Sequence, residues 1–256
     1  MIRGLAPLLL CAACAHALRT PPPLESLAPA PRADGAQLID QAEAAWSLRA
    51  DPAQAAAAEQ RYLEAARANP RDAAAYAGAV RAKAFRLGRA QGDERGRLAA
   101  EAVAVGQLCE QNAGPAPSCD YWLAAALGLQ ARDRPSTGHD ALPHMVELLQ
   151  RAAASDGALD RGGPHRLLAI LLLRAPGWPL GPGDAEAALP EAQTAARIAK
   201  DYAPNQLALG EALRKNGHEA EARAAYGEAL RLAAADADTD AAGWAEEARS
   251  ARAALR

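Results

Sequence analysis

The chain contains few aromatic, β-branched and lysine residues. Aromatics make up 4% of the 256 residues, with a single phenylalanine, and lysine occurs only at positions 83, 200 and 215. Runs that alternate apolar and polar residues are missing, so the sequence offers no credible β-strand. Half of the residues are apolar, mostly alanine. We therefore expect closely packed helices with small contacts, and few cavities lined by bulky rings.

Charge and motif content exclude several functional classes. The formal net charge of -3 argues against a nucleic-acid surface, and the excess of arginine over lysine is typical of a GC-rich genome. The sequence has no Gly-x-Ser-x-Gly, P-loop, paired-metal or cysteine-nucleophile signature. Gly181-Pro182-Gly183 places a proline where a phosphate cradle needs backbone N–H groups. We predict a non-enzymatic protein without cofactor or metal.

The N-terminus has the features of an export signal. Arg3 precedes a short apolar run, residues 5–13, and two small residues stand before Cys14. This order resembles the bacterial lipobox, which predicts a signal peptide over residues 1–13 and lipidation of Cys14. Cys11 stands where the lipobox usually has leucine. The alternative is an ordinary signal peptide cleaved near residues 15–17.

A proline-rich stretch follows the predicted anchor. Residues 14–34 lack apolar periodicity, and we expect them to form an extended, solvated tether. Residues 35–256 are predicted to form one helical domain. Ala15 after the cysteine is not aspartate, so by analogy with enterobacterial sorting we expect the outer membrane, with the protein facing the periplasm.

Two cysteines remain beyond the anchor. Cys109 and Cys119 flank a loop between two predicted helices, and an even pair in an exported chain indicates a disulfide. Two buried, reduced thiols are the alternative. A metal site is disfavoured because no histidine is spaced to join them.

The clearest repeat lies between residues 203 and 232. Its Leu-Gly pair, inter-helix glycine and Ala-x3-aromatic-x2-Ala spacing match a tetratricopeptide repeat, whose period is about 34 residues. The matching positions are Leu209, Gly210, Gly217, Ala222, Tyr226 and Ala229. An unrelated helical hairpin is the alternative. Only small residues let the paired helix axes approach closely, and an aromatic ring fills the adjacent groove.

The same pattern recurs upstream with more variation. Asp51-Pro52, Asp72 and Asp184 each predict a helix start, and Pro164 predicts another at a first helical position. The sequence predicts an all-α fold: a right-handed superhelix of about five tetratricopeptide-like (TPR-like) hairpins with a C-terminal capping helix over residues 241–255.

The segment from 162 to 184 contains the strongest candidates for a site. His165, Arg166 and Asp160 could form an acid–base cluster, although we favour packing of His165 near a helix start and bonding of Arg166 to loop carbonyls or a neighbouring acid. Trp178 could line a cleft, but a tryptophan between prolines more commonly wedges a loop against helices.

These residues carry a family resemblance. The motif consists of Gly162, Gly163, Pro164, His165, Arg166, Pro176, Gly177, Trp178, Gly183 and Asp184, followed by Asp201, Tyr202 and Asn205. Together with Tyr-Trp-Leu-Ala at 121–124, it resembles the T-component (TatT) family of tetratricopeptide-repeat lipoproteins associated with TRAP transporters. Lys200 departs from the proline common there.

The resemblance implies a lipid-anchored scaffold that docks a periplasmic solute-binding protein and assists transfer of an apolar or carboxylate ligand. It also implies assembly into a homo-oligomer. The alternative is a general envelope scaffold for outer-membrane or cell-wall protein assembly. An enzyme that uses His165 is a remote third possibility.

Overall fold

The structure is a computed structural model that describes residues 20–255, with the backbone alone described for residues 135–139. The predicted signal peptide and Cys14 lie outside the described residues. The described part is all-α. Its helices are α1 (Leu24–Leu27), α2 (Gly35–Ser47), α3 (Pro52–Ala68), α4 (Ala73–Leu87), α5 (Gly92–Ala113), α6 (Pro117–Asp133), α7 (Pro135–Asp156), α8 (Leu159–Arg174), α9 (Ala185–Ile198), α10 (Ala203–Lys215), α11 (Glu219–Ala235) and α12 (Ala241–Ala253).

Consecutive helices pack as hairpins. The pairs are α2 with α3, α4 with α5, α6 with α7, α8 with α9, and α10 with α11, and α12 packs against α11 and α10. Each hairpin also contacts the next one, so apolar side chains are buried between successive layers. The predicted superhelix of five hairpins with a capping helix is confirmed. None of the helices in residues 20–255 is both long and apolar enough to cross a membrane.

Aspartate side chains cap the N-termini of four of the helices. Asp51, Asp72 and Asp184 accept hydrogen bonds from the backbone N–H groups of Ala53, Ala74 and Ala187 at 2.9, 3.0 and 2.9 Å. These three predicted caps are confirmed. Asp34 caps α2 in the same way. Each carboxylate satisfies an N–H group that has no partner inside the helix.

Small residues beneath aromatic rings set the distance between helices. A Cβ added at Gly210 would lie 2.6 Å from the Tyr226 ring, and Gly78 faces the Tyr62 ring in the same way. A Cβ at Gly163 would lie 2.6 Å from the hydroxyl of Tyr121. The repeat residues Ala222, Tyr226 and Ala229 are buried in α11.

The turn between α10 and α11 requires a glycine. Gly217 has a φ of +82° and donates its N–H to the carbonyl of Arg214, while His218 donates to the carbonyl of Leu213. These two bonds form a Schellman motif, in which glycine occupies the left-handed position. The candidate Leu209 is half-buried at the border of two packed clusters.

The predicted tether is wrong for residues 24–28. These residues form α1 and the turn after it, with Leu24 and Ala28 buried against the core. Arg67 of α3 donates a 3.1 Å hydrogen bond to the carbonyl of Ala28. Leu24 can bury its side chain here because α1 packs against α3 and α5. The prolines on either side made this short apolar contact hard to predict from the sequence.

Cys109 at the end of α5 and Cys119 in the first turn of α6 are disulfide-bonded in this structure. Their Cα atoms are 5.4 Å apart, and both residues are buried. The bond ties the second hairpin to the third across the loop.

Candidate functional site

The middle of the superhelix contains an apolar cleft of about 690 Å³. Small-molecule sites occupy roughly 300–1,000 Å³ and are mostly apolar. Its lining is contributed mainly by α6, α7 and α8, with Ala84 from α4: Tyr121, Trp122, Ala124, Ala125, Gly128, Leu129, Ala131, Arg132, Leu142, Met145, Leu149, Leu167, Ile170, Leu171, Arg174, Ala175 and Pro176. Alanine and glycine on α6 leave this space because they carry almost no side chain.

Two arginines border the cleft, and within the described residues one of them forms an ion pair. Arg174 forms a bidentate ion pair with Glu211, with N···O distances of 2.7 to 3.2 Å. Arg132 is exposed and makes no ion pair within residues 20–255. An apolar cleft with one unpaired cation fits a ligand that has a hydrocarbon body and a single acidic group.

A left-handed bend lies directly beside the cleft, inside α8. Asp160, Arg161 and Gly162 have φ values of 49°, 57° and 84°. The first two are L residues in a region that costs roughly 1–3 kcal/mol each, so surrounding contacts must hold them. At Gly162 a Cβ would also approach the backbone of Ala195 to 3.2 Å.

Arg166 provides those contacts. Its guanidinium donates to the carboxylate of Asp160 at 2.7 Å, to the backbone carbonyl of Asp160 at 3.3 Å and to the side-chain oxygen of Asn205 at 2.9 Å. Asn205 in turn donates to the carbonyls of Arg161, Ala195 and Ala199. The expectation that Arg166 bonds loop carbonyls or a neighbouring acid is confirmed, since Asp160 accepts through both its backbone carbonyl and its carboxylate.

Tyr121 joins the bend to the cleft. It lines the cleft and donates its hydroxyl to the carboxylate of Asp160. Burial, reinforced by the Asp160 carboxylate and partly opposed by the charge of Arg166, raises the pKa of Tyr121 well above its usual value. The phenol therefore stays protonated and remains a donor.

Tyr202 also contacts the arginines of the bend. The guanidinium groups of Arg161 and Arg166 lie 4.6 and 5.2 Å from the ring centre of Tyr202.

His165 does not join this network. Its Nδ1 lies 2.6 Å from Glu191 on α9, and a Cβ at Gly157 would come within 2.7 Å of its other ring nitrogen. The structure brings Asp160 and Arg166 together but pairs His165 with a different carboxylate. This placement matches the packing role near a helix start.

The loop between α8 and α9 is closely bonded. An isolated β-bridge joins Gly177 to Gly183, and the N–H of Gly183 donates to the carbonyl of Pro176 at 2.8 Å. Asp184 then donates its own N–H to the carbonyl of Leu172. The side chain of Trp178 nevertheless points outward and is 90% exposed. The prediction that Trp178 wedges the loop is wrong, because backbone hydrogen bonds hold the loop instead, and Trp178 does not line the cleft.

Residues 20–255 contain no group of three histidine, cysteine, aspartate or glutamate residues placed to hold a metal ion.

A solved structure shares this architecture. It is a thermophilic TPR protein of Thermus thermophilus. The superposition has a TM-score of 0.61 and covers 84% of this chain and 99% of that one, at 18% sequence identity. No family model and no curated protein matches the sequence. The likeness shows the fold, a right-handed TPR-like superhelix.

TPR-like superhelices present extended concave surfaces to partner proteins, and the repeat itself supplies packing rather than chemistry.

Sequence reasoning did not find the cleft or its two arginines. Arg132 and Arg174 belong to no motif, and the cleft is lined mostly by alanine and leucine, residue types that also pack the rest of the core. The family-like segments do contain the four residues that form the hydrogen-bonded network beside the cleft: Tyr121, Asp160, Arg166 and Asn205. Their sequence positions do not show that they contact one another.

Proposed function

We propose that this protein is a non-enzymatic, lipid-anchored TPR-like scaffold on the periplasmic side of a bacterial envelope. In this proposal it docks a TRAP-type solute-binding protein and assists ligand transfer. Its anchor is the lipidated Cys14, and its location is the outer membrane. The motif of residues 162–184 supports the family assignment, and the lipobox-like N-terminus supports the localisation.

The apolar cleft is the observation that carries the ligand-transfer part of the proposal. It is large enough for a small ligand and bordered by the unpaired Arg132. The cleft wall includes Tyr121, which the buried network of Arg166 and Asp160 holds in place. A rigid wall reduces the conformational entropy lost when a ligand binds.

A fluorescent fatty acid, cis-parinaric acid, tests the cleft. We expect it to bind the purified protein and to bind at least about tenfold more weakly after Ala125→Trp, a loss of about 1.4 kcal/mol. Ala125 lines the cleft, so the indole would fill it. Ala234→Trp on the exposed side of α11 is the matched control and should leave binding unchanged.

Arg132→Gln separates the charge from the apolar contact. Affinity for the fatty acid should fall while affinity for the corresponding fatty alcohol stays the same. Equal binding by wild type and Ala125→Trp would remove the cleft from the proposal.

The docking part is tested by pull-down from envelopes dissolved in mild detergent, with the full chain anchored through Cys14 as bait. We expect recovery of a solute-binding protein, and a Cys14→Ala chain should fail to fractionate with the membrane. Recovery of outer-membrane or cell-wall assembly proteins alone would contradict transporter docking and favour the general envelope scaffold.

A further inference from the structure

A cluster of arginines and aromatic rings lies where α2 and α4 end. We call it the cradle, and it consists of Trp46, Arg49, Arg81, Phe85 and Arg89. Trp46 and Phe85 meet edge to face with ring centres 5.4 Å apart. The guanidinium carbons of Arg49 and Arg81 lie 4.8 and 4.5 Å from the Trp46 ring centre, and that of Arg89 lies 3.5 Å from the Phe85 ring centre. Phe85 is the only phenylalanine of the chain.

The cradle already holds an acidic segment of the same chain. Arg49 donates to the carboxylate of Asp238 at 2.8 Å, and Arg89 donates to that of Asp240 at 2.8 Å. These pairs join residues 189 and 151 positions apart in sequence. The third cation, Arg81, pairs instead with Glu43 and the hydroxyl of Tyr62.

The acidic segment is shaped for this contact by its own hydrogen bonds. Asp236 accepts from the N–H of Asp238 at 2.9 Å, and Asp238 accepts from the N–H of Asp240 at 3.0 Å. The alternate carboxylates at 238 and 240 therefore meet Arg49 and Arg89. The loop 236–240 gives a direct template for what the cradle recognises: carboxylates two residues apart on a short turn.

The contact can be exchanged without dismantling the fold. Helices α11 and α12, which flank the loop, pack extensively against each other and against α10. Both ion pairs are partly exposed, with side-chain exposures of 18% and 26% for Arg49 and Asp238 and of 42% and 45% for Arg89 and Asp240. Partly exposed pairs are weak and screened by salt.

We propose that the cradle is a binding site for an acidic peptide segment of a partner protein, and that Asp238 and Asp240 occupy it in the free chain. Arginines stacked on aromatic faces keep their donors oriented and match carboxylates in pairs. The partner displaces the loop 236–240, and its own carboxylates then pair with Arg49 and Arg89. This site is separate from the apolar cleft and does not depend on ligand transfer.

The test uses a fluorescein-labelled peptide that copies residues 234–242, with fluorescence anisotropy as the readout. The protein with Asp238→Asn and Asp240→Asn has a vacated cradle, and we expect it to bind the peptide at least about tenfold more tightly than wild type does. Raising the salt concentration should weaken that binding. A peptide with asparagine at all three aspartates should not bind.

Arg49→Gln and Arg89→Gln, added to the vacated protein, are the matched loss variants and should reduce binding at least about tenfold. Arg231→Gln, on the exposed side of α11, should have no effect. Peptide binding that survives the loss of both cradle arginines would overturn the proposal. So would a folded double-asparagine protein that binds no more tightly than wild type.

Asp240→Asn alone keeps the test decisive if the double variant fails to fold. It frees Arg89, the more exposed member of the cradle, and leaves the Arg49–Asp238 pair intact. We expect a smaller gain in peptide affinity that Arg89→Gln removes. No gain in this folded single variant would also overturn the proposal.

Discussion

Arg166 is the residue on which the left-handed bend depends. It is buried, and its guanidinium satisfies Asp160, Asn205 and Tyr121 together. The Asp160 side chain is 33% exposed and Asn205 is fully buried. Loss of Arg166 leaves both groups without their donor, which costs about 1–3 kcal/mol for each unsatisfied group.

We predict that Arg166→Leu lowers the free energy of unfolding by at least about 2 kcal/mol, measured by guanidinium denaturation. The leucine leaves the Asp160 carboxylate and the Asn205 oxygen without their donor. Arg231→Ala removes a fully exposed arginine that pairs with Glu228, and it should leave the stability nearly unchanged because exposed ion pairs contribute little. Similar losses for the two variants would mean that the network does not hold the bend.

Gly210 lies directly beneath the Tyr226 ring and has no room for a larger side chain. Gly210→Ala should destabilise the protein by about 1–3 kcal/mol, because its new methyl group would meet the Tyr226 ring. Gly227→Ala in α11 is the matched control, since nothing lies within 4 Å of its Cβ position. There the higher helix propensity of alanine should stabilise by up to about 1 kcal/mol. Thermal unfolding of both variants checks the opposite signs.

Between elements, a buried ion network joins α3, α4 and α5. Lys83 is 2% exposed and bonds Glu59 at 2.6 Å and Glu101 at 2.7 Å. Burial alone would raise the pKa of Glu101, but its hydrogen bonds and attraction to Lys83 and Arg97 outweigh burial and lower that pKa.

A lowered pKa in the folded state gives a definite pH dependence. Glu101 stabilises the protein fully above its ordinary pKa of about 4.5, and the contribution is lost as pH falls through the lower folded value. We predict that Glu101→Gln is less stable than wild type at pH 7 and that the difference shrinks below about pH 4. Thermal unfolding between pH 7 and 3 measures it, and a gap that widens in acid would contradict the assignment.

The disulfide acts at the same scale, because it links α5 to α6. Closing a loop with a sequence separation of 10 should contribute about 3 kcal/mol in the chain-entropy model. Replacing Cys109 and Cys119 with serine should remove that amount in denaturant unfolding. Reductant should destabilise the wild type alone. Wild-type unfolding that is indifferent to reductant would favour two reduced thiols.

For the whole molecule, α12 closes the superhelix. Its Ala248 is fully buried in a cluster with Leu207, Tyr226 and Ala229. A repeat array needs such a terminal element because the last hairpin would otherwise expose its apolar face.

We predict that Ala248→Glu undocks α12, lowers the free energy of unfolding by at least about 2 kcal/mol and promotes self-association. Ala242→Glu on the exposed face of the same helix should leave both unchanged. Denaturation and light scattering measure the two effects. A monomeric Ala248→Glu protein with wild-type stability would show that α12 is not needed as a cap.

The helical hairpins can be predicted from the order of the residues alone. Helix starts at Asp51, Asp72 and Asp184 and the small-residue spacing around Tyr226 depend on neighbours within one or two turns, and local contacts of this kind can be deduced from order alone. The other features depend on the packing of the hairpins, because it brings together residues that are far apart in the sequence. It placed Tyr121 against Asp160, left a cleft between α6, α7 and α8, exposed Trp178 to solvent and joined Arg49 to Asp238. Those outcomes depend on how successive hairpins stack, which short-range spacing does not specify.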